Sequence, residues 1–152
     1  MNNERAIIWK LKSFHDISVN ELYDCLQLRQ QVFIKEQNCA YVDNDDTDKL
    51  SFHLLGYMGG LMAAYARLIP PGALYSEPSI GRVVTSNSIR GKGVGKLLFE
   101  KSLEECEKMF GRQPVKIMAQ SYLLKFYEGY GFSKQGNEFL EDGIPHYYML
   151  KV

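Results

Sequence analysis

The chain has 152 residues, 45% hydrophobic and 24% charged, which is the balance of a globular protein long enough to bury a core. Its 18 basic and 18 acidic residues give a formal net charge of zero, which argues against nucleic acid or an anionic membrane as the main partner. Three cysteines, Cys25, Cys39 and Cys106, stand at no metal-ligand spacing, so the expectation is no metal and a reducing, cytoplasmic setting. Met1 to Arg5 lack the layout of a signal peptide, and the longest uncharged stretch, Leu54 to Ala66, is too short to span a bilayer.

Taken in order, Ala6 to Leu11 reads as a first strand. Ser18-Val19-Asn20-Glu21 has the form of a capping box, opening a helix with Leu22, Cys25, Leu26, Val32 and Phe33 on one face. Arg29 falls on that apolar stripe, either as a snorkelling stem or as an inward charge facing a site. Next comes an acidic run, Asp43-Asn44-Asp45-Asp46-Thr47-Asp48. It fails as a calcium loop, because Asp48 and Leu54 stand where glycine and glutamate are needed. It reads as a solvated turn or as an acidic rim that attracts a cationic amine.

Ser51 to Tyr57 and Leu61 to Leu68 read as strands of a hairpin around Met58-Gly59-Gly60, and Pro70-Pro71-Gly72 ends the second. Ser79 to Thr85 is the next strand. A helix from Val94 to Met109 carries Leu98, Phe99, Leu103 and Cys106 and stops at Gly111. Val115 to Gln120, a short helix over Ser121 to Glu128, and a last strand from Ile144 to Val152 complete the reading. Six or so strands and three helices, with no linker or repeat, indicate one α/β domain over residues 1–152.

The stretch with chemistry in it is Arg90-Gly91-Lys92-Gly93-Val94-Gly95-Lys96, between the fourth strand and the long helix. Alternate glycines let backbone N–H groups converge on one point, and the unpaired first amides of a helix carry the positive end of its dipole. Arg90, Lys92 and Lys96 add full charges, so the stretch reads as a diphosphate cradle. It is not a Walker loop, because Leu97 follows Gly95-Lys96. Nor is it a dinucleotide fingerprint, because Lys96 stands at the last glycine position and a polar link separates the loop from its strand.

What remains, Arg-x-x-Gly-x-Gly after a strand, resembles the coenzyme A pyrophosphate loop of the GNAT superfamily of N-acetyltransferases. Phe126-Tyr127-Glu128-Gly129-Tyr130-Gly131-Phe132 resembles a second segment of that family, in the expected order. Residues 5–152 are similar to its ElaA-like branch through Leu28 to Phe33, Glu36 to Cys39, Ala64 to Arg67, Gly81 to Val84 and Glu141 to His146. The resemblance implies the GNAT fold, a mixed, mostly antiparallel sheet flanked by helices. It implies an acyltransferase that uses acetyl-CoA on the amine of a small molecule or peptide, with pairing as a homodimer a common form. An enzyme like the acyl-homoserine-lactone synthases and a non-catalytic CoA-binding module are the alternatives.

Site residues follow from the resemblance. Arg90, Gly91, Lys92, Gly93, Val94, Gly95 and Lys96 would hold the pyrophosphate. Val83, Val84 and Thr85 would pair with the pantetheine arm, with Gln120, Tyr122 and Phe126 along it. Tyr127 matches the family's general acid, since a phenol is protonated at neutral pH. Glu36 ranks first as general base, with His53, Glu77 and His146 as further candidates. Arg29, Phe33, His53, Arg67, Arg82 and His146 are expected on the acceptor side, where the three arginines would bind an acceptor carboxylate or equally pair with Glu36 or the acidic run. Two positions depart from the family: Gln120 replaces a common asparagine, and Arg82 lies on a strand that often carries a glutamate.

Overall fold

Strand β1 (Ile8–Ser13) leads through a short turn to Ser18, whose hydroxyl does what its position predicts. The Glu21 amide donates to Ser18 Oγ at 3.0 Å and the Ser18 amide donates to Glu21 Oε1 at 2.9 Å, which closes the capping box. Helix α1 (Val19–Arg29) then buries Cys25, Leu28 and Arg29. The sequence reads as one regular helix through Phe33, but at Gln30 the ladder widens into a π-helix over Gln30–Glu36. Its wide bonds continue beyond it, with the amides of Gln37 and Cys39 donating to the carbonyls of Val32 and Ile34, each at 3.1 Å. Wide turns of this kind are frequent at functional sites, and this one brings Phe33, Glu36 and Gln37 to the wall of a cleft.

Helix α2 (Thr47–Leu50), which the sequence reading took as loop, leads into an antiparallel sheet. The sheet has the order β1-β2-β3-β4, with β2 (Phe52–Met58), β3 (Leu61–Ile69) and β4 (Ser79–Thr85). Gly59 and Gly60 adopt φ of 57° and 80° in the predicted hairpin, a conformation that side chains rarely take. Helix α3 (Val94–Phe110) crosses to a second sheet of order β5-β7-β6, built from β5 (Val115–Gln120), β6 (Phe132–Glu141) and β7 (Ile144–Lys151), with α4 (Leu124–Glu128) after β5. Among the described residues seven strands therefore stand where six or so were expected. Strand β6 is an edge strand with all but two of its residues exposed, so it lacks the apolar alternation that marks a strand. It turns into β7 through Asp142 and Gly143, both at positive φ, as a two-residue hairpin requires.

The structure is a computed structural model and describes residues 6–152; the reading of Met1 to Arg5 lies outside the described residues. The two sheets meet where the Lys116 amide donates to the Pro78 carbonyl at 3.0 Å. Strands β4 and β5 both start there, and the far ends of both line the cleft that opens between them. Helix α3 packs Leu98, Phe99 and Cys106 into a core shared with Leu54, Ala64, Ala66, Leu68, Ile117 and Met149. Alanines at 64 and 66 leave room for the helix, and each large apolar side chain buried there contributes about 1.5–3 kcal/mol. No helix among the described residues is long and apolar enough to cross a membrane.

Candidate active site

Gly91 and Gly93 adopt φ of 81° and 77°, which turns the backbone into the mouth of α3. The first intrahelical bond at this end runs from the Leu97 amide to the Gly93 carbonyl, so the amides of Val94, Gly95 and Lys96 have no acceptor within the helix. A Cβ placed at Gly91, Gly93 or Gly95 would meet no atom within 4 Å. The loop is therefore an open cradle of donors, backed by the dipole of a 17-residue helix.

The cradle borders a cleft of about 790 Å³. One wall is the π-helix and the loop after it, through Phe33, Glu36, Gln37 and Tyr41. Strand β4 forms the floor from Ile80 to Thr85, and the far side holds Gln120, Tyr122, Phe126, Tyr127, Asp142 and His146. Among the described residues strand β4 is paired only with β3, and its register shifts between Tyr65 and Arg67, so that Arg82 and Val83 face the single residue Ala66. Arg82 sits in this bulge at φ 50°. A bulge on a free edge aims peptide groups at the cleft, where an extended amide chain can pair with them. Val83, Val84, Thr85, Arg90 and Gly95 line the cleft, while Gly91, Lys92, Gly93, Val94 and Lys96 form the loop around its mouth.

Arg29, Arg67 and His53 do not reach the cleft. Arg29 is 1% exposed and forks onto two aspartates, with Nε to Asp43 Oδ2 at 2.7 Å and Nη1 to Asp48 Oδ1 at 2.9 Å. Arg67 Nη1 donates to Asp45 Oδ1 at 2.6 Å and to Asp48 Oδ1 at 2.9 Å. Arg82 Nε donates to Asp43 Oδ1 at 2.8 Å. The run 43–48 is thus neither a plain solvated turn nor an acidic rim, because Asp43 and Asp48 are buried counter-ions for three arginines. His53 has both nitrogens engaged: Nδ1 accepts from the Tyr65 hydroxyl at 2.6 Å, and Nε2 donates to the Asp48 carbonyl at 3.0 Å. Burial lowers its pKa, so it stays neutral as a strut behind the wall. Glu77 also lies away from the cleft, accepting a hydrogen bond from Ser76.

Three of the predicted acid–base candidates do face the cleft. Tyr127 is 8% exposed, its ring held edge-on by Phe99 at 5.1 Å and Phe126 at 5.2 Å. Burial, with the Tyr122 phenol nearby, pushes its pKa up to about 12, and its hydroxyl has no hydrogen-bond partner among the described residues. His146 is 7% exposed, stands opposite Gln120 in the ladder, and stacks on Phe139. Its Nδ1 donates to the Ile144 carbonyl at 2.6 Å, which in the neutral ring makes Nε2 the acceptor nitrogen. Glu36 is committed differently, because its carboxylate takes an ion pair from Arg90, which also donates to Asn87 Oδ1 at 2.7 Å.

Glu36 thus holds the cation that a pyrophosphate needs. Glu36→Gln is expected to tighten acetyl-CoA binding about threefold at low salt and to leave kcat within twofold, since a partly exposed ion pair contributes under about 1 kcal/mol. Titration calorimetry and steady-state kinetics check this. A fall in kcat of about 100-fold would return Glu36 to the role of base.

The sequence reading missed Gln37, Tyr41, Met118, Glu141 and Asp142, all of which line the cleft. The amide of Gln37 bridges to Gln120 at 3.3 Å, and Cys39 Sγ donates to the Asp142 carbonyl at 3.3 Å. The runs Glu36 to Cys39 and Glu141 to His146 were the available signal, but only chain topology brings them together.

Comparison with known proteins agrees with this geometry. Residues 27–152 match the family described as Acetyltransferase (GNAT) domain. UPF0039 protein sll0451 of Synechocystis is 40% identical over 145 residues, 95% of this chain and 94% of that one. Protein ElaA of Escherichia coli is 39% identical over 147 residues, 95% and 96% of the two chains. The crystal structure of E. coli ElaA superposes with a TM-score of 0.90 at 38% identity, over 97% of this chain and all of that one (100%). That of an acyl-CoA N-acyltransferase from Pseudomonas aeruginosa superposes with a TM-score of 0.93, also at 38% identity and with the same coverage. With the cradle, the splayed strands and these matches together, the chain belongs to the GNAT acyltransferases, in their ElaA-like branch.

Proposed function

We propose that the chain, acting as a single domain, is an acetyl-CoA-dependent N-acetyltransferase that acetylates a primary amine by direct attack on the thioester. The observation that carries this reading is one cleft running from the amide cradle at α3 to the side chain of Tyr127. The residues present fit the donor. Gly91, Gly93 and Gly95 leave the space of a side chain empty where a pyrophosphate needs to approach backbone amides, and Arg90 and Lys96 offer charge. The free edge of β4 suits the amides of pantetheine.

Bound acetyl-CoA supplies an acyl group activated as a thioester. The peptide groups at the β4 bulge supply N–H donors for the charge that develops on its oxygen. Tyr127 keeps its proton throughout the neutral range and gives it to the departing sulfur. His146 Nε2 takes a proton from the attacking amine, a role for which its fixed tautomer suits it better than Glu36.

The reading is tested by release of free thiol from acetyl-CoA in the presence of amines. Amine-dependent release is the expected result. Acetyl-CoA binding with no release for any amine indicates a CoA-binding module, and a preference for S-adenosylmethionine indicates lactone-synthase chemistry.

A further inference from the structure

The charges around the acceptor half of the cleft do not cancel, and the excess has a sign. On the β4 side, Arg82 is spent: Nε on Asp43 Oδ1 at 2.8 Å, Nη2 on the Asp43 carbonyl at 3.0 Å, and Nη2 3.5 Å from Asp45 Oδ2. Behind it, Arg29 and Arg67 take up Asp43, Asp48 and Asp45, so three guanidinium groups face three carboxylates. Arg90, the other cation lining the cleft, lies at the donor end and is held by Glu36. Among the described residues that line the cleft, no guanidinium is left over for an acceptor carboxylate.

Across the cleft stands the β6–β7 turn. Glu141 and Asp142 both line the cleft there, and among the described residues neither has a salt-bridge partner. The bond from Cys39 Sγ to the Asp142 carbonyl ties this turn to the loop that follows the π-helix, so the two carboxylates are carried at a fixed edge of the site. Four residues on, His146 is more than nine-tenths buried, lines the same cleft, and has an Nε2 without a partner among the described residues. In the neutral ring that nitrogen is an unpartnered hydrogen-bond acceptor of a residue in the cleft wall, independent of the acidic turn.

We propose that the acceptor is a slender aliphatic di- or polyamine, whose reacting nitrogen meets His146 Nε2 while a second ammonium pairs with Glu141 and Asp142. This deepens the acetyltransferase reading and rests on it. The proton balance is closed. The acceptor arrives as an ammonium, and His146 Nε2 takes the first proton and passes it to solvent. The neutral nitrogen then forms the C–N bond as the C–S bond breaks, and the second proton it sheds equals the one Tyr127 gives to sulfur. Ammonium and acetyl thioester become N-acetyl amine, thiol and one proton.

The test is thiol release from acetyl-CoA with spermidine, 1,4-diaminobutane, butylamine and 5-aminopentanoate, alongside titration of acetyl-CoA into the same protein. Spermidine and diaminobutane are expected to exceed butylamine at least about tenfold in kcat/KM, as a charge-assisted contact implies, and 5-aminopentanoate to fall below butylamine. Glu141→Gln combined with Asp142→Asn should raise the spermidine KM about tenfold and leave both the butylamine KM and acetyl-CoA affinity unchanged. His146→Asn should lower kcat about 100-fold with the spermidine KM within about twofold. Acetyl-CoA binding accompanied by equal rates for butylamine and diaminobutane overturns the proposal. So does faster turnover of 5-aminopentanoate, or no turnover of either polyamine. Failure of acetyl-CoA to bind at all strikes instead at the acetyltransferase reading beneath it.

Discussion

Tyr127→Phe is expected to lower kcat about 100-fold while acetyl-CoA affinity stays within about twofold, which is the size of effect that loss of a positioned general acid produces. The phenylalanine ring keeps the edge-on contacts with Phe99, Phe126 and Phe132 that seat the tyrosine. The hydroxyl engages no described residue, so its removal strands no buried donor or acceptor and the melting temperature should not move. Its ionisation lies near 12, so the acid is fully loaded throughout the neutral range. Thiol-release kinetics and calorimetry on the same preparation separate turnover from binding. Turnover equal to wild type would remove Tyr127 from the chemistry.

Arg29→Ala carries the largest expected effect on stability. The guanidinium is 1% exposed and satisfies Asp43 and Asp48 at once, so its removal leaves buried carboxylates short of their counter-charge. Breaking a buried pair in this way costs about 3–5 kcal/mol, which for a domain of this size lowers Tm by roughly 10 °C or more. Arg29→Lys should recover little, because a point charge cannot reproduce the fork.

The pH dependence gives a second readout. Burial pushes the Asp48 carboxyl upward, but hydrogen bonds and charge from Arg29 and Arg67 outweigh burial and hold its pKa below the ordinary value. A depressed carboxylate contributes stability that is present above its unfolded pKa of about 3.9 and is lost as pH falls through the folded value. The stability gap between wild type and Arg29→Ala should therefore narrow below about pH 4. Denaturant titration at pH 7 and pH 3 checks both statements.

The contrast between these two residues shows what the sequence could and could not convey. The place of Tyr127 on the cleft was legible because it comes with a local segment that also seats it. The same holds for the glycine loop and the Ser18 cap, whose physics is complete within a few residues. His53 was misplaced toward the acceptor, and Arg29 and Arg67 stayed undecided between an acceptor carboxylate and the acidic run, because an inward charge has two solutions. The deciding partners, Asp43 and Asp48, lie 14 and 19 residues beyond Arg29 in a stretch whose composition mimics a solvated turn. Strand β6 went unread because an exposed edge strand shows little period. The π-helix was invisible because Val32 and Phe33 satisfy ordinary helical spacing, and no residue between Gln30 and Glu36 marks the widened turn.

The central claim is that the loop before α3 holds the diphosphate of an acyl-CoA. The direct measurement is calorimetric titration of acetyl-CoA into wild type and Gly95→Glu. Gly95 lines the cleft at the start of α3, and a Cβ there meets no atom within 4 Å. Glutamate replaces a poor helix former and favours the positive end of the dipole, so this variant should be as stable as wild type or slightly more so. Micromolar binding in wild type, lost by at least about 100-fold in a fully folded Gly95→Glu, is the predicted result. Equal affinity in the two proteins would contradict the account and move the diphosphate away from the glycine loop.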